Sequence, residues 1–407
     1  MTPEERAVEF DAADPLAHFR DRFTLPEDVI YLDGNSLGAL PKATPQVMQQ
    51  VIAQEWGEGL IRSWNSAGWF DAAGRIGAKI APLIGAAPDE VIACDSTSVN
   101  LFKLIAAALH MRPGRKVILS EPGNFPTDLY MIAGLEAQGL AQRRLAPREA
   151  LADALNGDVA LLLLTHVHYK TSAMHDMAAL TRAAHEAGAL VLWDLSHSTG
   201  ALPVDLNGAQ ADFAVGCGYK YLCGGPGAPA FAFVAARHHD HLAQPLTGWF
   251  GHAAPFAFTD DYAPAPGIAQ LLCGTSPVLG LVALEVGVEL IAEVGVERLY
   301  AKSQALSEFL LASLAQLGVA IDLVSPAQSN ARGSQLSFRH PQAYAICQAL
   351  IARGVIGDFR DPDVLRLGFA PAYLRFADMA AAARHLAEVL ASGEWQRAEF
   401  NQRAAVT

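Results

Sequence analysis

Short apolar runs alternate with helical segments between about residues 80 and 235, and this alternation restricts the possible folds more than any other feature. Strands are predicted at residues 91–94, 116–119, 159–165, 189–193, 213–216 and 230–234. Between them, apolar residues recur at helical spacing over 100–111, 128–138 and 177–188. Continuous hydrophobicity is typical of strands buried on both faces, so the sequence predicts an α/β fold with a mostly parallel sheet wrapped by helices.

The pattern of predicted secondary structure changes after residue 278. A long helical stretch to about residue 317 is interrupted near Gly295. It is followed by predicted strands at 320–324, 334–338 and 364–367, with helices at 343–353 and 377–390. This is an α+β pattern, and 407 residues are enough for two domains. We expect a large domain over 46–285 and a smaller one over 1–45 and 286–407.

The composition excludes several classes of partner. The formal net charge is −13 and there is no lysine or arginine run, which argues against nucleic acid or an anionic membrane surface. The apolar runs are shorter than a membrane span, and no secretion signal is evident. The five cysteines include no Cys-x-x-Cys pair, which favours a reducing cytoplasm without zinc or disulfides. His166 and His168 are predicted to alternate along a strand, without a metal-binding spacing.

Two predicted strands end in residues with complementary chemistry. Lys220 follows the strand 213–216 and precedes a Gly-Gly-Pro-Gly turn, and Asp194 ends the strand 189–193. In parallel sheets, ligands bind beyond the carboxyl ends of the strands. An enzyme that uses pyridoxal 5'-phosphate (PLP) needs a lysine amine to hold the cofactor covalently and a carboxylate to keep its ring nitrogen protonated. The pair therefore predicts a PLP site.

Other loops add candidate residues. Ser96, Thr97 and Ser98 open a predicted helix, where they either cap it or hold a phosphate. The segment 123–128 supplies an aromatic ring and a carboxyl group, and the Gly-Asn-Ser-Leu-Gly turn at 34–38 presents an amide. Arg366 lies within an apolar strand, where a guanidinium needs a partner. That partner is either a substrate carboxylate or an internal salt bridge.

Taken together, these motifs resemble the kynureninase family, fold-type-I PLP enzymes of the aspartate aminotransferase superfamily. The segments that carry the resemblance are 31–38, 124–128, 194–200, 218–222, 248–251 and 354–360 leading to Arg366. The Gly-Asn-Ser-Leu-Gly and Phe-Pro-Thr-Asp motifs are the segments most specific to this family. The resemblance implies a fold-type-I PLP-dependent transferase architecture with a smaller α+β domain.

The resemblance also implies roles for individual residues. Lys220, Tyr219 and Asp194 would be catalytic. The residues that would bind the cofactor are Thr97, Ser98, Phe125, Pro126, Thr127, Asp128, Thr165, Asp194, His197, Tyr219 and Lys220, with Trp249 and Thr275 coming from the partner subunit of a homodimer. Asn35, Ser36 and Arg366 would bind the amino-acid carboxylate.

The implied reaction is the hydrolysis of L-kynurenine to anthranilate and L-alanine in tryptophan catabolism. Trp64 and Gly274 would surround the substrate ring. Because neither supplies an obvious partner for a ring hydroxyl, they favour plain kynurenine over 3-hydroxykynurenine.

Three alternatives share the fold. A cysteine desulfurase or selenocysteine lyase needs a reactive cysteine on a mobile loop, and the loop 325–333 has none. An aminotransferase would share the site but would not explain Trp64 and Gly274. A non-catalytic PLP-binding protein would not require both Lys220 and Asp194.

Overall fold

A computed structural model of the protein describes residues 1–403. The helices are α1 Pro3–Ala12, α2 Thr44–Gln50, α3 Ser63–Ser66, α4 Ala72–Ile80, α5 Thr97–Met111, α6 Pro126–Ala137, α7 Leu151–Ala154, α8 Met177–Glu186, α9 Val278–Val294, α10 Val296–Gln316, α11 Ala343–Ala352 and α12 Phe376–Ser392. The strands are β1 Phe23–Thr24, β2 Ile30–Tyr31, β3 Leu40–Pro41, β4 Val91–Ala93, β5 Val117–Ser120, β6 Gln142–Leu145, β7 Val159–Thr165, β8 Leu190–Asp194, β9 Phe213–Gly216, β10 Phe231–Val234, β11 Asp322–Leu323, β12 Gln335–Arg339, β13 Val355–Ile356, β14 Asp358–Arg360 and β15 Val364–Gly368.

The central sheet has seven strands in the order β4-β10-β9-β8-β7-β5-β6. Its pairs are parallel except that β10 runs antiparallel to both β4 and β9. Strands β4, β5, β7, β8, β9 and β10 are buried at every position. The predicted α/β fold with a mostly parallel, helix-wrapped sheet is confirmed.

The structure adds strands that the sequence patterns did not reveal. Strand β6 has the polar sequence Gln-Arg-Arg-Leu and lies at the sheet edge, where one face and one side can remain in water. Strands β13 and β14 are only two and three residues long. The predicted strand position of His166 and His168 is wrong, because β7 ends at Thr165 and the chain leaves the sheet there.

A second sheet has four antiparallel strands in the order β11-β12-β15-β14. The N-terminal segment lies beside it, since β2 pairs in parallel with β13 and Asp33 forms an isolated bridge with Gly368 at the end of β15. Residues 30–38 are thereby held next to residues 355–368. No helix within residues 1–403 combines the length and apolar character needed to cross a membrane.

Candidate active site

A cavity of about 230 Å³ lies at the carboxyl ends of the parallel strands. Thr165 ends β7, Asp194 ends β8, and Lys220 follows β9. These three strands are neighbours in the sheet, so their last residues meet at one edge. The cavity is lined by Ser96, Thr97, Ser98, Phe125, Thr127, Thr165, Tyr169, Asp194, Ser196, His197, Tyr219 and Lys220.

Lys220 has the surroundings of a reactive amine. Its Nζ atom lies 3.1 Å from Nε2 of His197 and 5.7 Å from the centre of the Phe125 ring. Burial, and then the Lys220 charge, hold the pKa of His197 well below its usual value. The imidazole is therefore neutral and can accept a hydrogen bond from the lysine amine.

Two buried carboxyl groups lie close to Lys220. Burial raises the pKa of both Asp128 and Asp194, and for Asp128 the nearby Asp194 charge raises it further. Asp194 Oδ1 accepts a hydrogen bond of 2.8 Å from the Ser196 amide, which stabilises its ionised form. Two adjacent buried carboxyl groups do not both ionise readily, and the backbone hydrogen bond from Ser196 favours the ionised form at Asp194.

The loop before α6 holds Asp128 in place. Thr165 Oγ1 lies 3.2 Å from Asp128 Oδ2 and also contacts the Asn124 amide oxygen. That same oxygen accepts hydrogen bonds from the Phe125 amide at 2.9 Å and the Thr165 amide at 3.3 Å. Asn124 thus joins the Phe125 loop to the end of β7.

The opposite end of the cavity is the N-terminus of α5. Ser96 caps this helix through a 3.3 Å hydrogen bond from the Val99 amide, and Thr97 and Ser98 line the cavity. The free amides of a helix N-terminus together with these hydroxyls are suited to a phosphate group. Tyr219 lines the same cavity, and burial raises the pKa of its phenol, so the hydroxyl keeps its proton and can donate a hydrogen bond.

The residues present fit PLP. Within residues 1–403, the buried atoms Asp128 Oδ1 and His197 Nδ1 have no hydrogen-bond partner, which is unusual for buried polar atoms. His197 lines the cavity, where a polar ligand would supply a partner for its imidazole, whereas Asp128 is held at its edge by Thr165. The site offers an amine at Lys220, a carboxylate at Asp194 and a phosphate-binding helix end in one enclosed volume. Pro126 and Asp128 do not themselves line the volume, although both neighbours of Pro126 do.

The predicted carboxylate-binding residues also meet, although they do not line the cavity. Arg366 is buried and forms an internal salt bridge with Asp358, the partner that the sequence left as an alternative. Its Nη2 also donates to Ser36 Oγ at 2.9 Å, and its Nη1 donates to the Tyr169 carbonyl at 2.6 Å. Asn35 is buried nearby, with its side-chain amide 3.2 Å from that of Gln335.

Two glycines explain why residues 34–38 approach so closely. A Cβ atom at Gly38 would lie 2.3 Å from the Lys220 carbonyl oxygen, and one at Gly368 would lie 1.8 Å from Asn35 Oδ1. The Gly38 amide donates to the Tyr219 carbonyl at 2.8 Å. The loop is therefore fixed against both the lysine segment and β15.

A separate group of predicted residues lies outside the cavity. Trp64 packs edge-on against Phe250 with ring centres 5.8 Å apart, and Trp249 packs against the same ring at 4.5 Å. The Phe250 amide donates to the Cys273 carbonyl at 3.2 Å, which places residues 273–275 beside them. We call Trp64, Trp249, Phe250 and residues 273–275 the aromatic surface. Trp249 is 40% exposed, and Gly274 and Thr275 are exposed.

Sequence reasoning missed three residues next to the site. Asn124 and Asp358 belong to segments that carry the family resemblance, but their sequence context assigns neither of them a role. The close spacing of Asp358, Arg360 and Arg366 was the available signal for a charged cluster. No local signal distinguishes Tyr169.

Sequence comparisons relate this chain to known proteins. A sequence profile described as the Kynureninase C-terminal domain matches residues 299–386. The chain is 51% identical to a protein named Kynureninase from Burkholderia mallei, over the whole of both chains. It is 49% identical over the same extent to a Kynureninase from Pseudomonas fluorescens.

Among solved structures, the apo cysteine desulfurase of Thermococcus onnurineus covers 92% of this chain and 98% of its own, with a TM-score of 0.79 and 18% identity. A structure of C-DES with glycine covalently linked to its PLP cofactor covers 90% of this chain and 98% of its own, with a TM-score of 0.79 and 17% identity. At such identities the structural likeness establishes the fold-type-I architecture alone, whereas the full-length sequence identity establishes the family. The chain therefore belongs to the kynureninase family.

Proposed function

We propose that the protein hydrolyses the Cβ–Cγ bond of L-kynurenine with the help of PLP, giving anthranilate and L-alanine, a step of tryptophan catabolism. The observation that carries this proposal is the 51% identity over the full length of a relative named Kynureninase. The cavity around Lys220 supports it, because the cavity offers the groups that PLP requires.

Bound PLP supplies an electron sink for the bonds that break at the substrate's α- and β-carbons. Lys220 would hold the cofactor through its Nζ atom, and the same amine would take the proton from the substrate Cα. His197, being neutral, accepts a hydrogen bond from this amine and keeps it directed into the cavity. Proton transfer by a positioned side chain of this kind contributes about 10²–10⁴-fold to a rate.

The other lining residues hold and orient the ligand. Asp194 would pair with the ring nitrogen of the cofactor, with Asp128 close to it. Phe125 would cover the ring, with Thr127 and Thr165 beside it, and Thr97, Ser98 and Tyr219 would bind the phosphate. The Tyr219 phenol, whose pKa is raised by burial, would also donate a proton to the departing carbon.

A carboxylate site lies beside this cavity. Arg366 and Asn35 bind the substrate's α-carboxylate in this proposal, and Ser36 holds the Arg366 guanidinium in place. These residues lie beside β15, next to the cavity-lining Tyr169. The guanidinium is held in one orientation by Asp358. That fixed orientation favours a carboxylate presented at the correct angle.

The proposal includes a second copy of the chain. Trp64, Trp249, Gly274 and Thr275 do not line this chain's own cavity, and all four lie on or beside the aromatic surface. In a homodimer they would complete the partner's site, with Trp249 and Thr275 near the phosphate and Trp64 and Gly274 near the substrate ring. An exposed aromatic side chain such as that of Trp249 is typical of a subunit interface.

Two further expectations belong to the proposal. The large domain would cover residues 46–285 and the small domain 1–45 and 286–407, so that the carboxylate site is contributed by the small domain. A cytoplasmic location is supported by the cysteines, because all five carry free thiols.

Anthranilate fluorescence provides the test. The purified protein, loaded with PLP, is expected to form anthranilate and L-alanine from L-kynurenine, and to release no sulfur from L-cysteine. The desulfurase alternative needs an accessible nucleophilic thiol, whereas Cys347 of the small domain is buried and burial raises its pKa. Sulfide release without anthranilate would replace the proposal by that alternative.

A further inference from the structure

Two arginines share one buried carboxylate beside the cofactor cavity. Arg366 donates to both oxygens of Asp358, through Nε at 2.7 Å and through Nη2. Arg360 Nη2 lies 2.7 Å from Asp358 Oδ2. Asp358 and Arg366 are opposite each other in the register of β14 and β15, so the sheet itself fixes their salt bridge. We call Asp33, Ser36, Asp358, Arg360 and Arg366 the charged cluster.

All the hydrogen-bonding positions of the Ser36 hydroxyl are occupied within this cluster. It donates to Asp358 Oδ2 at 2.8 Å and accepts from Arg366 Nη2 at 2.9 Å and from Arg360 Nη2 at 3.4 Å. A serine hydroxyl offers one proton and two acceptor positions. While these contacts hold, Ser36 has no proton left for a substrate, so its effect on a substrate carboxylate is to position the two arginines.

Arg366 alone has little capacity left for a carboxylate. A guanidinium has five N–H groups. Among residues 1–403, Nε and Nη2 bond Asp358, Nη2 also bonds Ser36, and Nη1 bonds the Tyr169 carbonyl. One N–H of Nη1 remains, whereas a carboxylate is bound best by two parallel N–H groups. The geometry therefore calls for a second donor.

Arg360 has the properties of that donor. Its side chain is 33% exposed, compared with 1% for Arg366. Among residues 1–403, its Nη1 bonds only the carbonyl of the adjacent Phe359. It lies close enough to the cavity that its charge, like that of Arg366, helps to lower the pKa of His197. It also acts to lower the pKa of Tyr169, although burial of that phenol outweighs the effect.

The net charge of the cluster also favours a carboxylate ligand. The two guanidiniums face the carboxylate of Asp358, and burial raises the pKa of Asp33, the fourth ionisable member, to about 7. Below about pH 7, where Asp33 is mostly protonated, the cluster holds one positive charge in excess. A buried excess charge is costly unless it is paired, and an incoming carboxylate would pair it.

We propose that Arg360 is a second substrate-carboxylate residue, and that Asp358 and Ser36 are positioning residues that hold Arg360 and Arg366 side by side so that both guanidiniums contact the same carboxylate. The inference rests on the proposed kynurenine-cleaving function and extends it to a residue for which the sequence suggested no role. The ligand class is an α-amino-acid carboxylate.

Arg360→Met tests the inference, since it keeps the aliphatic stem and removes the charge. Two quantities are measured for the PLP-loaded protein: KM for L-kynurenine and the inhibition constant of L-kynurenine carboxamide, which cannot form the ion pair. KM is expected to rise about ten- to a hundredfold, with kcat changed much less, because a charge-assisted contact is lost. The carboxamide's inhibition constant should change less than about threefold. Arg360→Lys should recover part of the loss.

Arg339→Met is the matched control, because Arg339 is also a strand arginine of this sheet paired with an aspartate, Asp363, but its side chain is 55% exposed. Asp358→Asn should raise KM as Arg360→Met does while leaving the dissociation constant of PLP unchanged. If Asp358→Asn does not fold, the Arg360 variants still test the inference. An unchanged KM in Arg360→Met, or an equal loss for kynurenine and its carboxamide, would overturn the inference. Absence of anthranilate formation by the unmodified protein would instead overturn the proposed function itself.

Discussion

The cofactor cavity and the aromatic surface are built in contrasting ways. The cavity is formed by the ends of adjacent buried strands, so its residues are brought together within one chain and several of them are fully buried. The aromatic surface is made of loops and short helical turns around Phe250, with Trp249 and Gly274 exposed. In the homodimer proposed above, PLP binding would be largely a property of the single chain, whereas the substrate-ring pocket would need a second copy.

Replacing Lys220 should have the largest effect, because it removes the central group of the cavity. Lys220→Ala is expected to lower kcat by at least about 10²–10⁴-fold and to abolish covalent PLP attachment. Borohydride reduction followed by peptide mapping checks the attachment site, and exposed Lys42→Ala is the control. A pyridoxyl group found on Lys42, Lys103 or Lys170 would contradict the assignment.

Mixing two inactive variants tests whether the aromatic surface serves the partner's cavity. Trp249→Ala should loosen PLP and weaken the dimer, and Lys220→Ala lacks the amine. After full subunit exchange, a mixed dimer contains one intact site, so an equal mixture should regain up to about a quarter of the wild-type activity. Activity is followed by anthranilate fluorescence, with each variant alone as the baseline. No regain in well-exchanged mixtures would mean that each site is built within one chain.

The substrate-ring pocket predicts a moderate selectivity. Trp64 has a single donor, its indole N–H, and Gly274 has no side chain, so a ring hydroxyl would lose water without a full partner, at a cost of roughly 1–3 kcal/mol. The specificity constant kcat/KM should therefore be higher for kynurenine than for 3-hydroxykynurenine.

Trp64→His combined with Gly274→Ser should narrow or reverse this preference. The space around Gly274 is open, and a Cβ atom placed there would have no other atom within 4 Å, so the serine can be accommodated. Gly274→Ser alone is the control that separates the effect of the new serine from that of the histidine introduced at Trp64. Equal or better use of 3-hydroxykynurenine by the unmodified protein would show that the pocket assignment is wrong, without affecting the PLP site.

A change of pH is expected to have the smallest effect on substrate binding, and this effect concerns the charged cluster. Like the cavity, the charged cluster is formed within one chain. Burial, and then the neighbouring Asp358 charge, raise the pKa of Asp33 to about 7. As pH rises through this value, Asp33 becomes negative beside Arg366 and weakens the attraction for a carboxylate. KM for kynurenine should rise roughly three- to tenfold between about pH 6 and pH 8, and Asp33→Asn should flatten that rise.

Stability gives an independent measure of the same group. The folded-state pKa of Asp33 is above the unfolded value, so between about pH 4 and pH 7 the folded protein binds more protons than the unfolded chain, and this group's contribution to stability falls as pH rises. Asp33→Asn should remove that part of the pH dependence of the unfolding free energy. Equal pH slopes for the variant and the unmodified protein would contradict the raised pKa.

Much of the cavity could be predicted because its residues follow strands that the sequence marks clearly. The continuous apolar runs before Thr165, Asp194 and Lys220 locate the strand ends, and parallel strands bring their ends to one edge. Strand β6 could not be predicted in the same way, because a polar edge strand lacks that signal. The prediction for His166 failed because an apolar run does not show at which residue the chain leaves the sheet.

The α/β class, the lysine and aspartate of the PLP site, and the family all follow from the amino-acid sequence, because they depend on local hydrophobic pattern and on specific short motifs. The three-dimensional arrangement was needed to show that Arg366 is bound to Asp358, that Ser36 is saturated, and that Trp64 lies with Trp249 and away from its own chain's cavity. Those relations depend on strand register and loop packing, which join separate segments. Neither is encoded in the spacing of residues along the chain.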